Sequence, residues 1–204
     1  IVSDGTASTR IYELIEPTYR RFTYDGRTWS EKEVMLNLKN PFDETRLCIS
    51  PALIYEDGIY RMWCSSAEDF EGKYRTINYY EMIDGDMMEL KSKHALSKGI
   101  LSHIDVVKDD GKYWLVGNDV SVDGFPLRLY SFVSPDEKDY KYEGILLSHG
   151  KRGRWDDRVI YRPSAVWANQ KLWLYYSAYG TNPNTSNHVG LIKVQNWKEL
   201  LKCF

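Results

Sequence analysis

A repeated strand–turn–strand unit constrains the fold of this chain more than any other feature of its sequence. In the first copy, Ile49–Ser66, two apolar stretches flank the dipeptide Asp57-Gly58. Asp-Gly between alternating hydrophobic residues is the strongest short-range signal for a β-hairpin. When the turns are aligned, Ile104–Asp119 follows at a shift of 53 residues and Tyr161–Ala178 after a further 59. A period of about 50–60 residues, with several strands in each unit, is typical of propeller blades.

The stretches before, between and after the hairpins extend the repeat. Four of them alternate or run apolar in the way strands do, and their sequences are RIYELI, INYYEMI, RLYSFVS and VGLIKVQ. The chain therefore holds four back halves of a blade but only three front halves. We expect an all-β fold with a single β-propeller domain over residues 1–204, holding about three and a half blades. The predicted divisions are a remnant at 1–40 and blades at 41–100, 101–150 and 151–204.

Three and a half blades do not close a ring. A propeller closes by joining its first and last blades, which removes exposed sheet edges. We therefore expect a fragment of a five-bladed ring, with about one and a half blades missing on the N-terminal side. The alternative is that another chain completes the ring, which would make the protein self-associate.

Composition excludes several classes of function. The formal net charge is −2 and the pI is about 6.1, which argues against nucleic-acid and anionic-membrane partners. No apolar run approaches the roughly 18–20 residues needed to span a bilayer. The three cysteines are too few for a disulfide framework. Cys48 and Cys64 flank one hairpin, so a bridge between them is an alternative, but buried free thiols are favoured. The compartment stays open.

Three motifs point to a known family. They are S-P-x-x-x-x-x-D-G-x-Y-x-M-W-x-S at Ser50–Ser65, Y-R-P-S-x-x-W … L-W-L-Y-Y-S at Tyr161–Ser177, and Y-D-G-R-T-W-S at Tyr24–Ser30. They resemble the five-bladed β-propeller glycosidases of the arabinanase/xylosidase and invertase/levansucrase types and their bacterial relatives. The resemblance implies carboxylates near the ring axis, presented by the innermost strands of successive blades. Glycoside hydrolysis needs two such groups, one to protonate the leaving oxygen and one to activate water or attack the sugar.

The resemblance assigns catalytic candidates residue by residue. His103-Ile104-Asp105 resembles the family's Asp at the start of an innermost strand, so Asp105 is the first candidate, as an orienting or pKa-tuning carboxylate. The other two hairpins begin with Ser50-Pro51 and Arg162-Pro163, where the enzymes would carry acids. The nearest carboxylates lie in the preceding loops, and the further candidates from these loops are Glu44 and Asp157.

Four residues are candidates for substrate binding: Ser50, His103, Trp155 and Arg162. Arg162 at an inward strand start would clamp a substrate carboxylate or hold Asp105 ionised, or else form an internal ion pair between blades. His103 would contact a sugar hydroxyl, or else be a strand-edge histidine with its hydrogen bond satisfied. Trp155 lies beside a loop, where an indole can stack on a sugar face.

The resemblance thus implies a glycoside hydrolase or transglycosidase whose axial pocket binds an oligo- or polysaccharide. The alternative is a non-catalytic propeller that binds glycans or another protein, favoured by the absence of acids at Ser50 and Arg162. The four histidines lack metal-ligand spacing. No metal site and no cofactor are predicted, although the fold leaves room for a structural calcium ion near the axis.

Overall fold

A computed structural model describes residues 18–21, 33–37, 48–67, 75–83, 88–93, 101–119, 128–181 and 187–202. Its thirteen described strands have the following bounds: β1 Thr18–Arg21, β2 Glu33–Asn37, β3 Cys48–Glu56, β4 Ile59–Ala67, β5 Arg75–Ile83, β6 Glu89–Ser92, β7 Leu101–Asp109, β8 Lys112–Asp119, β9 Arg128–Ser134, β10 Lys141–Ser148, β11 Val159–Ala168, β12 Lys171–Tyr179 and β13 His188–Val194. The helix α1 spans Trp197–Leu200. Within these ranges no helix is long and apolar enough to cross a membrane.

The three predicted hairpins are present, and their turns have one conformation. The two central residues of each turn have positive φ: 53° and 78° at Asp57-Gly58, 51° and 69° at Asp110-Gly111, and 51° and 61° at Asn169-Gln170. Positive φ at both central positions defines a type I′ turn, whose twist matches that of the flanking strands. Asp, Asn and Gly tolerate this conformation, and for this reason the Asp-Gly pairs predict the first two turns from the sequence.

The strands form repeated antiparallel sheets. The orders are β3-β4-β5-β6, then β10-β9-β8-β7, then β11-β12-β13, and β1 pairs with β2 separately. The first strands of the three larger sheets are neighbours, since β3 contacts β7 and β7 contacts β11. Strands that begin consecutive sheets and lie side by side are the inner strands of consecutive propeller blades. The fold is therefore all-β and propeller-like, as the repeat predicts, while the exact blade boundaries stay a prediction.

The core lies between the sheets. Trp63 and Tyr79 of the first sheet pack with Tyr113 and Leu115 of the second in one cluster of buried side chains. A second cluster joins residues of the second and third sheets, including Trp114, Leu129, Leu172 and Leu174. Burial of large apolar side chains between blades, at about 25 cal/mol per Å², fixes each sheet against the next. The relative placement of the three inner strands follows from these two clusters.

The C-terminal helix packs on the second sheet as well as on the third, the sheet that contains β13. Asn196 caps α1, because its side chain accepts a hydrogen bond from the backbone N–H of Glu199. Trp197 is fully buried, stacks on Trp114 and donates its indole N–H to Ser131. The helix therefore ties the last sheet to the middle one.

One cysteine differs from the expectation. Cys64 is fully buried and disulfide-bonded, so the preference for a free thiol at this position is wrong. Antiparallel pairing of β3 with β4 puts Cys48 opposite Ser66, two residues from Cys64 along the strand.

Candidate functional site at the inner strands

Each inner hairpin is irregular at the same place. The pairing register shifts between Ile49 and Ala52, between Leu101 and Ile104, and between Tyr161 and Ser164. Ser50, His103 and Arg162 lie in these irregular segments, each seven residues before the first residue of its turn. Bulges re-aim side chains and are frequent beside active sites. The repeat therefore brings three of the predicted binding residues to equivalent positions on adjacent strands.

Two of these positions have an unusual backbone. Ser50 and Arg162 both have φ of 50°, although neither is glycine and both precede proline. The left-handed region is disfavoured for residues with a Cβ, and a following proline favours extended backbone instead. Such conformations persist only where the surroundings impose them, and they cluster at functional sites.

Ser50 and His103 are in direct contact. The Ser50 hydroxyl lies 2.6 Å from Nδ1 of His103 and so links the first inner strand to the second. The His103 ring also lies 6.4 Å from the ring of Tyr161, centroid to centroid, on the third inner strand. His103 is half-buried and in contact with both neighbouring blades.

Asp105 joins the second inner strand to the third. One carboxylate oxygen accepts the N–H of Val106 at 2.9 Å, and the other accepts the N–H of Ala165 at 2.8 Å. The Ser164 side chain also hydrogen-bonds to it. Burial raises the pKa of the Asp105 carboxyl to about 6, against the opposing effect of these hydrogen bonds. In the other two hairpins, the positions level with Asp105 are Ala52 and Ser164.

Arg162 lies at the same end of the inner strands. Its guanidinium lies over the Tyr161 ring at 5.5 Å, and the side chain is exposed. Its backbone N–H donates to Oδ1 of the buried Asn118 at 3.3 Å. No carboxylate of the described residues pairs with the guanidinium, and Arg162 is not among the groups that shift the pKa of Asp105. The structure therefore favours neither the internal ion pair nor the Asp105-ionising role.

Trp155 is held in a stack of aromatic side chains. Its ring lies 5.8 Å from Tyr176 with an angle of 20° between the planes, and His188 meets it edge-on at 5.7 Å. Tyr176 in turn lies across Gly190, its partner on β13. One face of the indole is therefore covered by protein, and the residue is half-buried.

Replacement of Gly190 by alanine should disturb this stack. A Cβ at position 190 would lie 2.2 Å from Cζ of Tyr176, which is buried and stacked on Trp155. Overpacking of this kind typically costs about 1–3 kcal/mol, and urea unfolding should show a loss of that size. The neighbouring Val189→Ala is the control, since Val189 is 70% exposed. Equal stability of the two variants would contradict the packing described.

Asp157 organises its own loop. Its carboxylate accepts hydrogen bonds from the N–H of Gly153 and from both the N–H and the hydroxyl of Thr181. These bonds lower the pKa of Asp157, with the Gly153 N–H contributing most. A general acid needs the opposite shift, because it must keep its proton near neutral pH. The contacts of Asp157 suit a loop-closing carboxylate better than an acid.

Known proteins of similar structure have been found, although no protein-family model and no curated protein sequence match the chain. An N-acetylgalactosamine deacetylase from F. plautii aligns with a TM-score of 0.63 at 16% identity, over 83% of this chain and 55% of its own. A family 117 glycoside hydrolase from Zobellia galactanivorans aligns with a TM-score of 0.63 at 16% identity, over 90% and 59%. A family 32 β-fructofuranosidase from Bombyx mori aligns with a TM-score of 0.59 at 16% identity, over 87% and 42%.

The fold is a β-propeller of the glycoside hydrolase type. The chain spans 42–59% of the lengths of these three proteins. One of the three is a deacetylase and two are glycoside hydrolases, so proteins that contain a similar fold carry out more than one reaction. The reaction of a given member must therefore be argued from its site.

The propeller brings some predicted residues together and leaves others apart. Ser50, His103, Asp105 and Arg162 share the inner strands, whereas Asp157 serves its loop and Glu44 lies outside the described residues. No cluster of three His, Cys, Asp or Glu side chains that would hold a metal ion occurs in the described part of the chain.

Sequence reasoning missed three contributors to this site: Asn118, Tyr161 and Ser164. Tyr161 and Ser164 lie in the same inner strand as Arg162, so the repeat alignment alone would have placed them there. Asn118 gave no such signal, because its contact with the Arg162 backbone joins residues 44 positions apart on different sheets.

Proposed function

We propose that the inner-strand site around Asp105 binds a glycan and that the complete protein acts on glycosidic bonds. The observation that carries the proposal is the placement of Asp105 at the junction of β7 and β11, with its pKa raised to about 6. A carboxyl with a pKa near 6 is partly protonated close to neutral pH, so it can donate a proton to a sugar oxygen or share one with it. Similarity to glycoside hydrolases of the same fold supports the substrate class.

Hydrolysis needs a second carboxyl about 5–10 Å from the first. Asp157 is a poor candidate because its hydrogen bonds to Gly153 and Thr181 favour the ionised form. Glu44, which precedes β3 in the sequence and lies outside the described residues, remains the candidate that the sequence proposes. In this proposal Asp105 orients the sugar and modulates the proton affinity of the site, while His103 and Ser50 contact hydroxyl groups.

The test uses a panel of aryl-glycosides and polysaccharides, with hydrolysis and binding measured on the same preparations. Asp105→Asn should lower activity at least about 100-fold, because it removes the carboxyl that orients the sugar and modulates the proton affinity of the site, and it should weaken glycan binding. Asp139→Asn is the matched control, since Asp139 is an exposed carboxylate in the turn before β10. Full activity and full affinity in Asp105→Asn would show that the site is assigned wrongly.

A non-catalytic glycan-binding or protein-interaction propeller is the second candidate. It is favoured by Ser50-Pro51 and Arg162-Pro163, which stand at strand starts where the resemblance expects acids. Glycan binding without turnover of any member of the panel, with binding lost in Asp105→Asn, would favour a binding module over the enzyme. Completion of the ring by a second chain is a separate proposal, and light scattering that shows a monomer would remove it.

A further inference from the structure

We propose that the glycan bound at this site carries an oxyanion, a carboxylate or a sulfate group, and that Arg162 recognises it. This inference rests on the proposed function and narrows the class of substrate. It starts from an arginine that is exposed and free of any ion pair with the described residues, on the strand whose Tyr161 ring neighbours His103 and whose Ala165 N–H bonds to Asp105.

No carboxylate of the described residues neutralises the guanidinium of Arg162. Its described side-chain contact is the face of Tyr161, 5.5 Å from the ring centroid, which supports the guanidinium without neutralising it. Asp105 does not pair with it, since the groups that hydrogen-bond to that carboxyl are Val106, Ser164 and Ala165.

The backbone of Arg162 is fixed in a costly conformation. Its φ of 50° is disfavoured for arginine and for any residue before proline. Asn118 stabilises this conformation by accepting the Arg162 N–H, and its own side chain is 1% exposed and donates to Ser102 at 2.6 Å. A buried amide that anchors a strained arginine holds the start of that side chain in place before any ligand arrives, which lowers the entropic cost of binding.

The other described groups of the inner-strand site carry little negative charge. His103 neighbours the Tyr161 ring that supports Arg162, the Ser50 hydroxyl bonds to His103, and the Ser164 hydroxyl bonds to Asp105. The raised pKa of Asp105 means that this carboxyl holds less negative charge near pH 6 than an ordinary aspartate does. Because the chain as a whole carries a net charge of −2, its overall field does not attract anions. Recognition of an anionic sugar must therefore come from the local cation.

Substitutions at position 162 can distinguish two-point hydrogen bonding by arginine from simple charge attraction. A guanidinium forms two parallel hydrogen bonds to one carboxylate or sulfate, whereas a lysine ammonium acts as a point charge. Arg162→Lys should therefore keep part of the preference for an anionic sugar, and Arg162→Gln should abolish it. The matched control is Lys171→Gln, which removes an exposed cation from the same hairpin, just past the turn at its other end.

The experiment is titration calorimetry of the intact protein against length-matched oligosaccharides in three forms: uronic acids, their methyl esters and sulfated sugars. The wild type should bind the uronate or the sulfated series at least about 10-fold more tightly than the neutral esters, the size expected for a charge-assisted bidentate contact. Arg162→Gln should bind all series with the affinity of the esters, and Lys171→Gln should match the wild type. Which anionic series wins identifies the oxyanion.

Two results would overturn the inference, and they can be told apart. Equal affinity for charged and neutral series, or an unchanged preference in Arg162→Gln, rejects anion recognition while the glycan-binding proposal stands. If the protein binds none of the three series and no glycan on the wider panel, the proposed function and this inference are rejected together. Thermal unfolding of each variant verifies that it is folded, which is expected because the Arg162 side chain is exposed.

Discussion

The contribution of one side chain, Asp105, to the free energy of unfolding should fall by about 3 kcal/mol as the pH rises from 3.5 to 7. Burial raises the pKa of this carboxyl from 3.8 to about 6 in the folded protein, a shift of about two pKa units, and each unit corresponds to about 1.4 kcal/mol. This is the largest pH effect that we expect from any one side chain of the site.

The sign follows from proton linkage. Between pH 3.8 and 6 the folded state binds the Asp105 proton more tightly than the unfolded chain does, so stability falls as the proton is lost. The contribution is fully present below about pH 3.8, disappears through pH 6, and is flat above about pH 7. Most aspartates that are hydrogen-bonded in native proteins show the opposite slope.

The measurement is the difference in unfolding free energy between the wild type and Asp105→Asn, taken by urea titration at several pH values. The difference cancels the titration of distant carboxylates and should fall by about 3 kcal/mol across this range. Asp136→Asn is the control with the opposite sign, because hydrogen bonds from Asp139, Ser134 and Lys138 lower the pKa of Asp136. A pH-independent difference for Asp105→Asn would refute the raised pKa.

Replacement of Trp197 by alanine should cost about 3–5 kcal/mol, the usual range for a fully buried tryptophan. The substitution removes the stack on Trp114 and leaves the buried Ser131 hydroxyl without the indole N–H. Since domains of this size are stable by about 5–15 kcal/mol, the variant should lose a large part of its stability. Thermal unfolding should show a much lower Tm.

Trp167→Ala is the matched control for this loss. Trp167 is 40% exposed, and its indole N–H bonds to the carbonyl of Lys108, which water can reach once the ring is removed. We expect a cost of at most about 1 kcal/mol. Trp197→Phe separates packing from hydrogen bonding, and it should fall between the two alanine variants. Equal losses for Trp167→Ala and Trp197→Ala would show that α1 does not stabilise the propeller as described.

Local chemistry explains what could be read from the chain alone. Asp57-Gly58 and Asp110-Gly111 predict type I′ turns, because few residue pairs adopt positive φ at two successive positions. Side-chain alternation then sets the strands, and the period between the turns sets the number of sheets. Trp63 and Trp114 could be assigned to the core for the same reason, because both fall in the second strand of their hairpins. Trp173 occupies the equivalent strand but is only half-buried.

The partners of individual side chains could not be read in this way. Glu56 stands directly before a hairpin turn, a position that does not by itself predict a partner. In the structure it pairs with Lys108 and accepts a hydrogen bond from Tyr113 in the next sheet. Asp157 looked like a candidate acid until its bonds to Gly153 and Thr181 were known. Such contacts join residues 4 to 57 positions apart, and nothing in their spacing signals that they meet.

The sequence by itself therefore determined the all-β class, the three hairpins and the equivalence of Ser50, His103 and Arg162, because turn preference and strand alternation are local properties. Only the tertiary structure decided that Asp105 bonds to the N–H of Ala165 and that Arg162 has no acidic partner among the described residues. Those facts depend on how adjacent blades pack, and blade packing is set by buried surfaces from distant parts of the chain. Charge and proton affinity at the site follow from that packing.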